Sequence, residues 1–177
     1  MTNKTEKLRA HCAAATFAAI MWSANAAPIE QSAEQFIDAE IDRLVALYSD
    51  GIAVGYPEYR HVKFAKLLER GGEAAVALFS VEGFQGGNLH EEYLAVFEPV
   101  EATEIEGKKT SPYRLLAVQK IGGRGWRTFD WNAAQIKPGA IVLHGRKWKA
   151  EDPGCCPSAA IAVTFRLRDD ALVETRK

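Results

Sequence analysis

Cysteine is scarce in this chain: three residues in 177, at positions 12, 155 and 156. So few thiols exclude a disulfide framework, and a domain of this length has to be held by a hydrophobic core. Long apolar runs are missing as well. The stretch Cys12–Trp22, broken only by Thr16, falls short of the about 20 residues that cross a bilayer. An excess of positive charge is also lacking, with 22 basic residues against 23 acidic, and this argues against a general nucleic-acid binder. No Gly-Lys-Ser/Thr follows the glycines at 122–125, so phosphate is not cradled as in a P-loop. Ser80, Ser111 and Ser158 lack the setting of a nucleophile elbow. Ser158, after Pro157, is expected to bond nearby backbone. No catalytic residue, metal site or cofactor is therefore assigned.

What is present begins with a leader. Lys4, Lys7 and Arg9 precede the apolar stretch, and Ala24-Asn25-Ala26 supplies a small-x-small cleavage site. Residues 1–26 are expected to be a signal peptide cut before Ala27. Cys12 precedes most of the apolar run and no lipobox surrounds it, so a lipid anchor is not expected. Cutting 26 residues from 177 leaves 151, which suits one domain at 27–177. Losing Lys4, Lys7, Arg9 and Glu6 leaves 19 basic and 22 acidic residues, net −3. The expected location is the periplasm or the exterior, without stable membrane insertion.

Ser32-x-x-Gln35 forms a capping box. Ile37, Ile41, Leu44, Val45 and Tyr48 then recur at helical spacing, and Gly51 offers a stop. The pattern predicts an amphipathic helix over 33–49. From about residue 61 the period becomes that of strands, near 61–68, 73–82, 90–98, 112–121, 125–131, 140–147, 159–168 and 171–175. Turns fall at Gly71-Gly72, Gly86-Gly87-Asn88, Glu106-Gly107-Lys108 and Asp169-Asp170. Ala74–Val81 is apolar on both faces and reads as central, whereas Ile161, Val163, Phe165 and Leu167 alternate with Ala162, Thr164, Arg166 and Arg168. The expected fold class is α+β: an N-terminal amphipathic helix packed on a large, mainly antiparallel sheet.

Charge is unevenly placed. Residues 82–106 hold seven acidic residues and no Lys or Arg, whereas 120–149 hold seven basic residues and one acidic, Asp130. Trp126, Trp131 and Trp148 lie in the basic segment. Charge on exposed strand faces is the default reading of such segments. The sharper reading is a groove in which Arg124, Trp126, Arg127, Trp131 and Trp148 bind an anionic or glycan component of the envelope. His90-Glu91-Glu92 reads as surface polarity, because neighbours on a strand face opposite ways. His61 and His144 stand alone.

Cys155 and Cys156 are adjacent in Asp152-Pro153-Gly154-Cys155-Cys156-Pro157-Ser158. Successive Cα atoms lie about 3.8 Å apart, against the roughly 4.4–6.8 Å of ordinary disulfides. A bridge between them therefore makes a tight turn, which Pro153, Gly154 and Pro157 suit. Four readings stay open: a structural vicinal disulfide or packed pair, a redox-active pair, a soft-metal site such as Cu(I) with His144, or an intermolecular bridge. Cys-Cys lacks the spacing of zinc sites.

The C-terminal block of Ile141-Val142-Leu143, Asp152–Ser158, Val163–Leu167 and Asp170-Ala171-Leu172 resembles a group of uncharacterised bacterial exported proteins and is similar to the mycobacterial LppP/LprE lipoproteins. The likeness covers roughly the last forty residues. It implies an exported protein and no known activity; the missing lipidated cysteine means that anchoring does not carry over. The reading that results is a non-enzymatic binding or envelope-associated domain. The alternative is a thiol-redox or soft-metal-handling protein acting through Cys155 and Cys156.

Overall fold

A computed structural model describes residues 32–69, 72–101, 104–105, 108–109 and 112–175. The expected leader at 1–26, and Gly71, Glu106, Gly107 and Ser111, lie outside these residues.

The capping box forms as the sequence requires: the Ser32 N–H donates to Gln35 Oε1 at 2.9 Å, and the Gln35 N–H donates to Ser32 Oγ at 3.3 Å. The helix that it opens, α1 (Ala33–Tyr48), buries Ile37, Ile41 and Leu44. Burial of side chains of this size stabilises by about 1.5–3 kcal/mol each. In the whole chain α1 follows 32 residues, so it is the first described element and not the N-terminus. It stops when the Ser49 N–H bonds to Val45 O, before Gly51 is reached. The Asp50 carboxylate then accepts the N–H groups of Ile52, Ala53 and Gln85. These bonds, that from Ala53 foremost, hold its pKa below the ordinary value and pin the loop after the helix to the sheet.

After a 3-10 turn at Pro57–Tyr59 come β1 (His61–Ala65), β2 (Ala74–Phe84) and β3 (Leu89–Pro99). A small hairpin follows, β4 (Glu104–Ile105) with β5 (Lys108–Lys109), where the sequence predicts only a turn. The chain continues with β6 (Tyr113–Gly123), β7 (Arg127–Lys137), β8 (Ala140–Lys147), β9 (Ala159–Arg168) and β10 (Ala171–Thr175). The main sheet has eight antiparallel strands in the order β1-β2-β3-β6-β7-β8-β9-β10. The molecule is thus mainly β, one α-helix among the described residues lying on an antiparallel sheet. β7 runs past the predicted end at 131 because a register shift between Asp130 and Gln135 absorbs Asn132-Ala133-Ala134, whose pattern breaks the alternation.

The sheet folds back on itself. β6 and β7 pair only at Gly123↔Arg127, so β1-β2-β3-β6 and β7-β8-β9-β10 part there and close over a shared core. Ala74, Val76, Leu78, Leu94 and Val96 from the first half meet Phe129, Trp131, Ile141, Leu143, Val163 and Phe165 from the second. Long-range bonds tie the halves. The Lys63 ammonium donates to Trp131 O and Ala134 O, and the Gly139 N–H donates to Leu67 O at 2.7 Å. The opposite face of β2 and β3, with Ala75, Ala77, Phe79, Val81, Tyr93, Ala95 and Phe97, packs under α1. Two buried faces explain why Ala74–Val81 is apolar but for the partly exposed Ser80.

Candidate binding cleft

Where β6 and β7 part, side chains take over from the missing ladder. Arg127 Nε donates to Ile121 O at 2.5 Å, and its two terminal nitrogens donate to Glu174 of β10 at 3.1 and 2.8 Å. Arg127 as a whole is 6% exposed. Its guanidinium carbon lies 4.2 Å from the Trp126 ring centroid and 5.2 Å from that of Phe129. On the β3 side, Glu92 accepts the Thr128 hydroxyl and, at 3.1 Å, the Phe129 N–H. Burial raises the Glu92 pKa to about 7 against these hydrogen bonds and the Arg127 charge. Sequence alternation assigned Glu92 to the surface; it is 7% exposed, because the parted strands leave β7 donors that only an inward carboxyl can satisfy. The glycines at 122 and 123 answer to crowding. A Cβ on Gly122 would stand 2.7 Å from both Arg127 O and Glu92 Oε2. One on Gly123, at φ +144°, would stand 2.6 Å from His90 O.

The Arg127–Glu174 pair lies beside an open cleft of about 530 Å³, lined also by Trp126, Lys147, Trp148 and Ile161. It is built by the β6–β7 turn, the start of β7, the end of β8 with Trp148 just after it, the first half of β9 and the end of β10. Trp126 is 45% exposed. Trp148 is half-buried, fixed by its backbone N–H on Trp126 O at 3.0 Å and by its indole N–H on Pro153 O at 3.2 Å. Trp131 does not line the cleft. It is buried in the core between His61 and Lys63, with the Lys63 ammonium 5.0 Å from its centroid. Arg124, at the exposed tip of the β6–β7 turn, donates to Asn88 O at 3.2 Å. Of the five residues expected to form a groove, Trp126, Arg127 and Trp148 therefore meet at the cleft. Lys147 and Glu174 join them unforeseen. A lysine on the strand face of Leu143 and Gly145, at the exposed end of β8, could have been read from alternation, but the reach of Glu174 across to Arg127 follows from the fold-back and carries no sequence signal.

Charges also pair between β3 and β6, with Lys120 of the basic segment bonded to Glu91 and Arg114 to Glu98. A second groove of about 360 Å³ lies on β7–β9, lined by Asp130, His144, Arg146 and Ala160.

The cysteine turn adjoins the cleft. Asp152 Oδ2 accepts the N–H groups of Lys149 at 2.9 Å and Ser158 at 2.8 Å, and these bonds, that from Lys149 foremost, hold its pKa below the ordinary range. The Cys156 N–H donates to Pro153 O at 3.0 Å. Cys155 and Cys156 are exposed, with their sulfurs at disulfide distance from each other. Among the described residues no group of three or more His, Cys, Asp or Glu could hold a metal ion, and no helix is long and apolar enough to cross a membrane. Comparison of the chain with protein-family models, with characterised proteins and with solved structures finds no match.

Proposed function

We propose that this chain is an exported, non-enzymatic binding domain whose cleft takes an anionic glycan-like component of the bacterial envelope. The observation that carries the reading is the exposed Trp126 indole, held over a buried Arg127 at the mouth of the folded sheet. An indole face suits a sugar ring; Lys147 lines the cleft, and Arg124 and Lys149 flank Trp126 and Trp148 along the chain. Arg127 already serves Ile121 and Glu174, so its role is to hold Trp126 while the outer cations meet the ligand. Once the leader is removed, α1 becomes the N-terminal element of a single domain. The likeness of the Cys-Cys-Pro-Ser block to LppP/LprE lipoproteins supports an envelope location.

The test is retention on immobilised heparin, with neutral dextran as control. Arg124→Glu combined with Lys147→Glu should weaken retention at least tenfold at low salt, with the difference shrinking as salt screens it. Trp126→Ala should do the same with little salt dependence. Thermal unfolding of all three proteins should be nearly unchanged. Retention that ignores both changes would leave the cleft a solvated strand end.

A further inference from the structure

One backbone carbonyl links the cysteine pair to the wall of the cleft. Pro153 O accepts the Cys156 N–H, which closes a four-residue turn, and it also accepts the Trp148 indole N–H. The Cys155–Cys156 bond joins the third and fourth residues of that same turn. The turn and the anchor of the indole therefore share one atom, Pro153 O, and the covalent closure lies within the same turn. Two more observations bear on reactivity. Both cysteines are exposed, so an external thiol can reach the bridge. An Arg124 terminal nitrogen lies 3.8 Å from where a Cβ on Gly154 would stand, which brings positive charge to the turn that holds the cysteines. A neighbouring cation favours thiolate over thiol, and a sulfur that leaves as stabilised thiolate leaves faster.

We propose that the Cys155–Cys156 bridge is a thiol–disulfide exchange site for a dithiol reductant, and that its reduction releases the Trp148 wall of the cleft. A thiolate of the dithiol attacks one sulfur and forms a mixed disulfide, while the other sulfur leaves as thiolate and takes up a proton. The second thiol of the reductant then displaces the first cysteine. Two electrons and two protons pass to Cys155 and Cys156, and the reductant ends as a disulfide. With the cross-link gone, the two residues regain independent torsions, and extended neighbours send their side chains to opposite sides. The turn closed on Pro153 O loosens, and Trp148 loses the acceptor that orients it. The effect on ligand rests on the cleft being a binding site; the release of the indole does not.

The full chain, labelled with nitrogen-15, should be treated with dithiothreitol under native conditions and alkylated, with the modified cysteines located by peptide mapping so that Cys12 is not confused with the pair. Trp148→Phe identifies the indole signal. The expected result is alkylation of Cys155 and Cys156, a shifted Trp148 indole resonance and at least tenfold faster solvent exchange of its N–H, with the buried Trp131 indole unmoved. Cys155→Ser with Cys156→Ser should reproduce the shifted signal without reductant, and Arg124→Gln should slow reduction several-fold. A bridge that resists dithiothreitol in the folded protein overturns the exchange site. A reduced bridge with an unmoved Trp148 signal overturns the latch. A moved signal with unchanged heparin retention would keep the latch and remove the binding role of the cleft.

Discussion

Replacing Glu92 by Gln should leave stability near pH 4 almost unchanged and raise it at neutral pH and above. The carboxyl is buried, and it accepts the Thr128 hydroxyl and the Phe129 N–H. Burial lifts its pKa from 4.5 to about 7, with the Glu82 charge adding to the rise. The folded protein therefore keeps this proton over a range in which the unfolded chain has released it. The unfolded state binds fewer protons between 4.5 and about 7, so stability falls with rising pH across that window and levels off above it. At about 1.4 kcal/mol per pKa unit the loss sums to roughly 3 kcal/mol. For a domain of this size that corresponds to a fall in Tm of roughly 10 °C. A glutamine amide can accept the Phe129 N–H and donate to Thr128 Oγ1 without ever ionising. Urea unfolding followed by tryptophan fluorescence, at steps from about pH 4 to about pH 8, reads the difference directly. Asp50 and Asp152, whose pKa values are lowered, contribute stability that is lost as pH falls through the acid range, and they do so in both proteins. Their effect cancels in the comparison. Parallel profiles for the two proteins, or a variant less stable near pH 8, would refute the assignment of a buried, proton-holding carboxyl to the seam between the half-sheets.

Gly122→Ala should destabilise by more than about 2 kcal/mol, since backbone and a buried carboxylate crowd the new methyl, whereas Gly125→Ala should cost only about 1 kcal/mol for its positive φ; equilibrium unfolding of the pair checks the contrast. The double change Cys155→Ser with Cys156→Ser should cost less than the roughly 2–5 kcal/mol typical of a lost native disulfide, because a loop of almost no length gains little from cross-linking; a variant that fails to fold would place the pair in the core. N-terminal sequencing of exported material should begin at Ala27; a product that retains Cys12 would overturn the leader.

The helix and most strands were legible because local signals agree there. The Ser32–Gln35 box, the helical recurrence of Ile37, Ile41 and Leu44, and the alternation from Ile161 to Leu167 each state a period that the packing then uses. The double-sided apolar run at Ala74–Val81 also announced a strand covered on both sides. What stayed hidden depends on chain segments far apart. Trp131 sits among basic residues and reads as a ligand platform, but the fold-back carries it into the core against Lys63. Arg127 reads as a surface charge until β10 returns with Glu174. Glu92 reads like the polar residues before it, His90 and Glu91, because nothing local reveals that β6 and β7 will part at Gly123. The glycines at 122–123 were visible as a turn, but the reason for them is the close approach of β3 and β7, which no turn rule encodes.

The strand order of the large sheet repeats the chain order from β1 to β10, with only the β4–β5 hairpin stepping aside. Each strand can therefore find its neighbour as soon as it follows it out of a ribosome or a translocation pore, without waiting for distant sequence. Short loop closures cost little entropy, so the hairpins form early. The bonds that draw the halves together, Lys63 to Trp131 and Gly139 to Leu67, span about seventy residues each and must come late. Between those stages the chain is a half-built meander with its inner apolar face uncovered. A protein made this way needs shielding for the interval between pairing and closure, and the length of that interval is set by how quickly β7–β10 swing over the first four strands.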